Sequence, residues 1–115
     1  MKSYIRVMKA LSDPSRVRVL KLLEYGELCA CEIQDLLGLA QSTVSKHMKL
    51  LEDADLVEGR RKGTWTIYSL ADGADSLYAK TMLAQLRCWL ETDRELELMR
   101  TRLPDVASVR ANCSG

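Results

Sequence analysis

Two cysteines two positions apart are the residues of this sequence best suited to chemistry. Cys29 and Cys31 form a Cys-x-Cys pair, and Cys88 and Cys113 lie farther along the chain. The paired residues are too close in sequence for an ordinary structural disulfide. Thiolates bind soft metal ions and are also open to oxidation. The pair therefore predicts a thiophilic metal site or a redox role, and plain packing is the alternative.

The local backbone decides whether both sulfurs of the pair reach one ion. On a regular α-helix, residues two apart point about 200° away from each other. In an extended segment they point the same way, with Cα atoms roughly 6.6 Å apart. Apolar residues at helical spacing predict a third helix over residues 29–39. Joint capture by Cys29 and Cys31 therefore requires that the first turn of this helix be absent, frayed or unwound.

A polar stripe on the next helix predicts a nucleic-acid interface. This helix opens near Gln41 after a break at Gly38, and its inward face consists of Val44, Met48 and Leu51. The two helices and their tight turn form a helix-turn-helix, whose second helix fits the major groove of double-stranded DNA. A solvated helix face is the alternative interpretation. The residues predicted to contact DNA from this helix are Gln41, Ser42, Thr43, Ser45, Lys46, His47 and Lys49.

A basic turn adds a second candidate contact with DNA. Residues 56–58 and 64–70 are rich in strand formers, and the turn between them carries Arg60, Arg61 and Lys62. The tip of such a hairpin can follow the phosphate backbone or enter the minor groove. A merely solubilising turn is the alternative.

The remaining elements complete a mainly α fold with a small β-hairpin, a winged helix-turn-helix. A short first helix is predicted near residues 4–11, and a second begins after Asp13, a capping residue, with Pro14 at its first position. One long helix is predicted from about residue 75 to 102. The folded domain then covers residues 1–103, and residues 104–115 form a flexible tail.

Composition restricts the class of protein further. The chain has 115 residues, a net charge of +1 and 47% hydrophobic residues, which fits one domain with a core. No apolar run approaches the roughly 20 residues that span a bilayer, and the N-terminus lacks the apolar core of a secretory signal. We expect a cytoplasmic protein with reduced cysteines and no membrane partner. With no phosphate-binding glycine loop and no nucleophile elbow in the sequence, we expect no enzyme and no catalytic cofactor.

Four segments, taken together, resemble the ArsR/SmtB family of metal-responsive repressors. They are Ala-Leu-Ser-Asp-Pro-Ser-Arg from position 10, Glu-Leu-Cys-Ala-Cys-Glu from 27, Gln-Ser-Thr-Val-Ser-Lys-His-Met from 41 and Lys-Gly-Thr-Trp from 62. The resemblance implies a homodimer, joined through its first and last helices, that holds operator DNA until an inducer binds. The apolar stripe of residues 77–99 suits such an interface, with an intramolecular brace as the alternative.

Within that family, the cysteine pair resembles the inducer site of the arsenic-responsive branch, which binds trivalent arsenic or antimony. The resemblance makes Cys29 and Cys31 the metalloid ligands. Trivalent arsenic takes up to three sulfurs, but the position of a third family cysteine is Gln34 here. Cys113 is the first candidate for a third ligand. Cys88 is the second, with packing or a place in the dimer interface as its alternative, and a small cellular thiol or two thiolates alone also stay open.

Two other kinds of sensor with the same fold stay open. Cadmium and lead are also thiophilic, and oxidation of the pair would make the protein a redox sensor. Glu27 and Glu32 flank the pair and disfavour easy ionisation of the thiols. The zinc-responsive branch is disfavoured because its site on the last helix needs histidines, and residues 74–102 contain none.

Overall fold

The computed structural model describes residues 1–106 as helices joined to a small antiparallel sheet. This architecture confirms the predicted mainly α fold with a β-hairpin. A short 3-10 helix, Leu103–Asp105, follows the last α-helix. The α-helices are α1 (Lys2–Ala10), α2 (Pro14–Leu23), α3 (Ala30–Leu37), α4 (Gln41–Asp53), α5 (Leu77–Leu86) and α6 (Arg94–Arg102). The strands are β1 (Leu28–Cys29), β2 (Val57–Lys62) and β3 (Trp65–Leu70).

The predicted capping and turn residues set the boundaries of α2 and α3. The Asp13 carboxylate accepts a hydrogen bond from the Arg16 amide at 3.1 Å, and Pro14 begins α2. Gly38 ends α3 in the left-handed conformation, with φ 66°, which glycine adopts at no steric cost. Because α4 begins only three positions later, at Gln41, Gly38 fixes the tight turn between the two helices.

The sheet contains a short strand that the sequence did not predict. The strand order is β1-β3-β2, and both pairings are antiparallel. In β1, Leu28 pairs with Tyr68 and Cys29 pairs with Ile67. The third helix was predicted to begin at residue 29, but Cys29 is extended (φ −82°, ψ 163°) and α3 begins at Ala30. The first cysteine of the pair therefore belongs to the same sheet as the β2–β3 hairpin, which we call the wing.

The core consists of buried apolar side chains from the helices and from the strands of the sheet. The predicted inward face of α4 is confirmed, since Val44, Met48 and Leu51 are all buried. On the sheet, Ile67 and Tyr68 are buried as well. Burial of this apolar face of α4 leaves its polar stripe on the opposite side of the helix.

The prediction of one long helix over residues 75–102 is wrong. The chain forms α5 and α6 instead, and between them Leu90 has a φ of 62°, a conformation that costs a non-glycine residue about 1–2 kcal/mol. Asp93 begins α6 as its N-cap, and its carboxylate also accepts from Arg18 Nε at 3.0 Å. That pairing lowers the pKa of Asp93.

A fully buried lysine holds the end of α5. The side chain of Lys21 is 0% exposed, and its Nζ donates to the Leu86 carbonyl and, at 2.8 Å, to Glu91 Oε1. Glu24 Oε1 lies 3.3 Å from the same nitrogen. Hydrogen bonds from Lys21 and Arg100 lower the pKa of Glu91. In a continuous helix the Leu86 carbonyl would accept from the amide four residues on, so its bond to Lys21 favours the break between α5 and α6.

The described part of the chain ends shortly after α6. The 3-10 helix ends at Asp105, and the side chain of Val106 is buried. Residues 107–115, which include Cys113, lie outside the described residues. Within residues 1–106, no helix combines the length and the apolar character that crossing a membrane requires.

Replacing Gly59 by alanine is expected to destabilise the wing sheet. A Cβ at this position would lie 2.9 Å from Cε1 of the buried Tyr68 ring, which pairs with Gly59 across β2 and β3. Overpacking of this kind costs about 1–3 kcal/mol. Urea unfolding should show that loss for Gly59→Ala and almost none for Glu58→Ala, an exposed neighbour on the same strand. Equal midpoints for the two variants would contradict this account.

Candidate functional site

The polar stripe of α4 is the first part of the candidate site. Five of its predicted contact residues are exposed, and all of them except Gln41 lie well away from the buried face of the helix. Thr43 and His47 are only half-buried and lie at the edges of the stripe. The exposed members are Gln41, Ser42, Ser45, Lys46 and Lys49. Two of them, Gln41 and Ser42, form the N-terminal end of α4, where helices in a major groove usually reach base edges.

His47 differs from the rest of the stripe because other side chains hold its ring. Its Nδ1 lies 3.0 Å from Arg16 Nη1, and its Nε2 lies 3.9 Å from Asp13 Oδ2. Both partners belong to the start of α2, at its N-cap and first turn. His47 therefore has partners inside the protein as well as a predicted contact with DNA.

The wing brings its three basic residues to the exposed end of the hairpin, but it does not leave them equivalent. Both terminal nitrogens of Arg60 donate to the two carboxylate oxygens of Glu27, one of them at 2.9 Å. This hydrogen bonding and the charge of Glu27 raise the pKa of Arg60. Arg61 donates to the neutral Thr66 hydroxyl at 3.3 Å, and Lys62 is exposed. The positive charge of Arg60 is thus already balanced by an acid, a pairing that the sequence did not reveal.

The cysteine pair lies where the wing sheet meets α3. Cys29 is 1% exposed in β1, whereas Cys31 is half-buried in the first turn of α3. The amide of Cys29 donates to Glu32 Oε1 at 2.8 Å, so the buried carboxylate of the first turn caps the helix. The two cysteines therefore occupy two backbone conformations, one extended and one helical. Joint capture of one ion was expected to require an absent, frayed or unwound first turn of this helix, and Cys31 lies in a regular first turn here.

The described residues do not supply a third sulfur beside the pair. Gln34 lies one turn after Cys31 on α3, and Cys88 is exposed just after the end of α5. No group of three or more histidine, cysteine or acidic residues within positions 1–106 is arranged to hold a metal ion. Cys113, the other candidate ligand, lies outside the described residues.

Comparisons with known proteins give the family of the chain. A family model described as bacterial regulatory protein, arsR family, matches residues 13–59. The arsenical resistance operon repressor of Escherichia coli is 33% identical over 112 residues, which cover 96% of this chain and 89% of that protein. The chain belongs to the ArsR family. It is a transcriptional repressor of that family, and its relatives are DNA-binding regulators rather than enzymes.

Two further ArsR-family likenesses cover shorter parts of the chain. The arsenical resistance operon repressor of Staphylococcus xylosus is 47% identical over 64 residues, or 56% of this chain and 62% of that protein. A solution structure from Mycobacterium bovis is 33% identical with a TM-score of 0.64, and the match covers 76% of this chain and 77% of that one. It is described as the homodimeric winged helix-turn-helix DNA-binding domain of a possible ArsR-family regulator. The winged helix-turn-helix fold predicted from the sequence is thereby confirmed.

Proposed function

We propose that this ArsR-family repressor binds double-stranded operator DNA as a homodimer and releases it when trivalent arsenic or antimony binds Cys29 and Cys31. The name of the Escherichia coli relative, an arsenical resistance operon repressor over nearly the whole chain, supports the choice of inducer. Soft thiolates suit these soft ions. The position of the cysteine pair carries the proposal, because it joins the wing sheet to the helix that precedes α4.

The DNA-binding surface consists of the exposed stripe of α4 and the tip of the wing. The stripe presents short polar side chains and two lysines, which suit base edges and phosphates in a major groove. The exposed basic tip of the wing then reaches the neighbouring phosphate backbone. Because α3 and α4 are separated by a tight turn at Gly38, movement of α3 is passed directly to the DNA-binding helix.

Capture of one ion by both sulfurs acts on the first turn of α3. Cys29 is extended, but Cys31 is helical, so bringing their sulfurs together requires Cys31 to leave the helical conformation. This change removes the hydrogen bond between the Cys29 amide and Glu32. Since α3 has only eight residues, the loss of one turn removes about half of it and tilts α4. The inducer can shift the equilibrium only by its difference in affinity for the two conformations, typically 5–150-fold.

An exposed apolar surface on α1 and α5 supports the homodimer. Tyr4 and Ile5 of α1 and Leu77 and Tyr78 of α5 are all 40% or more exposed. The rings of Tyr4 and Tyr78 lie edge to face, 5.5 Å between centroids, so the two helices present one surface. We call these four residues the α1–α5 face. A contiguous apolar surface of this kind on a small protein is typical of an interface.

Release of a fluorescent operator duplex, followed by anisotropy, tests the inducer directly. The protein is kept reduced with a phosphine, because a dithiol would itself bind arsenite. Arsenite and antimonite are each expected to release the DNA. If only cadmium or lead released the DNA, the inducer would be one of those thiophilic ions and not a metalloid. Release only when an oxidant replaces the reductant would identify a thiol redox sensor instead.

The three basic residues of the wing are expected to contribute unequally to salt dependence. A lysine or arginine that neutralises one phosphate contributes about 0.9 to the slope of log affinity against log salt. Arg61→Ala should reduce the slope by about that amount and weaken binding to every DNA sequence. Arg60→Ala should reduce it less, because Glu27 already balances that charge. Equal reductions in the two variants would show that Arg60 leaves Glu27 for DNA.

A further inference from the structure

The contacts of His47 differ from those of a residue that contacts DNA. Its side chain is 14% exposed, although it is the neighbour of the exposed Lys46 on the same helix. An arginine has donors only, so Arg16 Nη1 donates to His47 Nδ1 across the 3.0 Å between them. In the neutral ring this bond places the proton on Nε2, which faces Asp13 Oδ2 at 3.9 Å. Both nitrogens of the ring are thus directed toward α2 rather than toward solvent.

Arg16 connects the same ring to the end of α1. Its Nε donates to the Ala10 carbonyl at 2.8 Å, and its Nη2 donates to the Lys9 carbonyl at 3.1 Å. These carbonyls belong to the last turn of α1, and that of Lys9 also accepts from the amide and the hydroxyl of Ser12. One planar guanidinium therefore joins α1 and α4, and its rigid fork fixes their relative orientation in a way that a lysine cannot.

We propose that Arg16 and His47 are positioning residues that hold the DNA-binding helix at a fixed angle to α1 and thereby set operator affinity. The inference rests on the proposed DNA-facing role of α4. In a dimer joined through the α1–α5 face, α1 sets the position of each subunit. The Arg16–His47 link then fixes the distance and angle between the two α4 helices, which must match two half-sites. A shift of α4 relative to α1 weakens the contacts with both half-sites of the operator at once.

Two substitutions of His47 separate this role from direct DNA contact. Asparagine carries its amide oxygen where histidine carries Nδ1, so His47→Asn keeps an acceptor for Arg16. Glutamine carries its amide one carbon farther out, near the place of Nε2. His47→Gln therefore keeps a polar group at that place but has no acceptor at the position of Nδ1, where Arg16 donates. We expect His47→Asn to bind the operator within about threefold of wild type and His47→Gln to bind about tenfold more weakly, the usual effect of losing a bond to a charged group.

Arg16→Lys gives the second arm of the test. It retains the positive charge but loses the fork, so we expect about the same tenfold loss as for His47→Gln. The double variant Arg16→Lys with His47→Gln should lose no more than either single variant, because all three lack the same link. All affinities are measured by operator anisotropy at a temperature where circular dichroism shows each variant folded.

The outcomes separate this inference from the proposed function. Wild-type affinity for His47→Gln with a loss for His47→Asn would overturn it in favour of direct contact through Nε2. Additive losses in the double variant, or wild-type affinity in Arg16→Lys, would overturn it as well. Lys46→Ala, on the exposed stripe of α4, is tested in parallel. If it weakens binding while the Arg16 and His47 variants do not, only the positioning role fails; if it has no effect, the DNA-facing role of α4 fails too.

Discussion

Replacing Cys29 and Cys31 together by serine is expected to leave operator binding intact and to abolish release by arsenite. Serine hydroxyls are hard donors that stay protonated at neutral pH, so they do not replace thiolates toward a soft ion. The fold should tolerate the change, because Cys29 is the N-cap of α3 and serine is among the preferred N-cap residues. The measurement is operator anisotropy with and without arsenite, under reducing conditions.

The two single variants and a distant cysteine complete this experiment. Each of Cys29→Ser and Cys31→Ser should lose most of the response, since one sulfur alone does not bridge β1 and α3. Cys88→Ser is the matched control because Cys88 is exposed and lies beyond the end of α5. It should respond as the wild type does. If the double variant still releases DNA when arsenite is added, the inducer binds elsewhere in the molecule.

The helix-turn-helix could be predicted from the sequence because its signals are local. Val44, Met48 and Leu51 recur at helical spacing, and they are the buried face of α4. Asp13 and Gly38 have the chemistry of a cap and a left-handed stop, and the structure uses them in those roles. Each of these features depends on neighbours within a few positions, so no knowledge of the folded chain was needed.

The features that could not be predicted depend on contacts between distant segments. β1 has two residues and no periodicity of its own, and only its pairing with β3 defines it. The break between α5 and α6 involves Lys21, more than sixty positions before the groups it binds. An apolar pattern alone predicted a continuous helix there. Tertiary contacts outweighed local helix propensity in that segment.

The candidate site shows the same division at the level of single residues. The exposed stripe of α4 and the basic tip of the wing followed from residue types. The partners of individual side chains did not: Arg60 binds Glu27, next to the cysteine strand, and His47 binds Arg16. A charge pattern gives the sign of a surface, but it does not reveal which charges are already balanced inside the protein. Glu27 thereby links the wing to the segment that leads into Cys29.

The second large effect is expected from the α1–α5 face. Ile5→Asp combined with Leu77→Asp places two carboxylates on this surface. In the single chain Ile5 is 40% exposed and Leu77 is 72% exposed. In a symmetric dimer each change occurs twice, so four buried charges without partners would oppose association. The folded monomer should survive, because both side chains lie outside the buried core. Analytical ultracentrifugation should show a monomer where the wild type is a dimer.

Loss of the dimer should then reduce operator affinity by at least about 100-fold, because the second half-site is no longer bound at a high effective concentration. Leu98→Asp on α6 is the matched control, since Leu98 is 52% exposed but lies on the helix beyond the break. It should remain dimeric and bind DNA as the wild type does, because the α1–α5 face, which the Tyr4–Tyr78 contact joins, contains no residue of α6. A dimeric Ile5–Leu77 double variant would place the interface elsewhere. A monomeric Leu98→Asp variant would extend the interface across α6, to the full stretch that the sequence predicted as one helix.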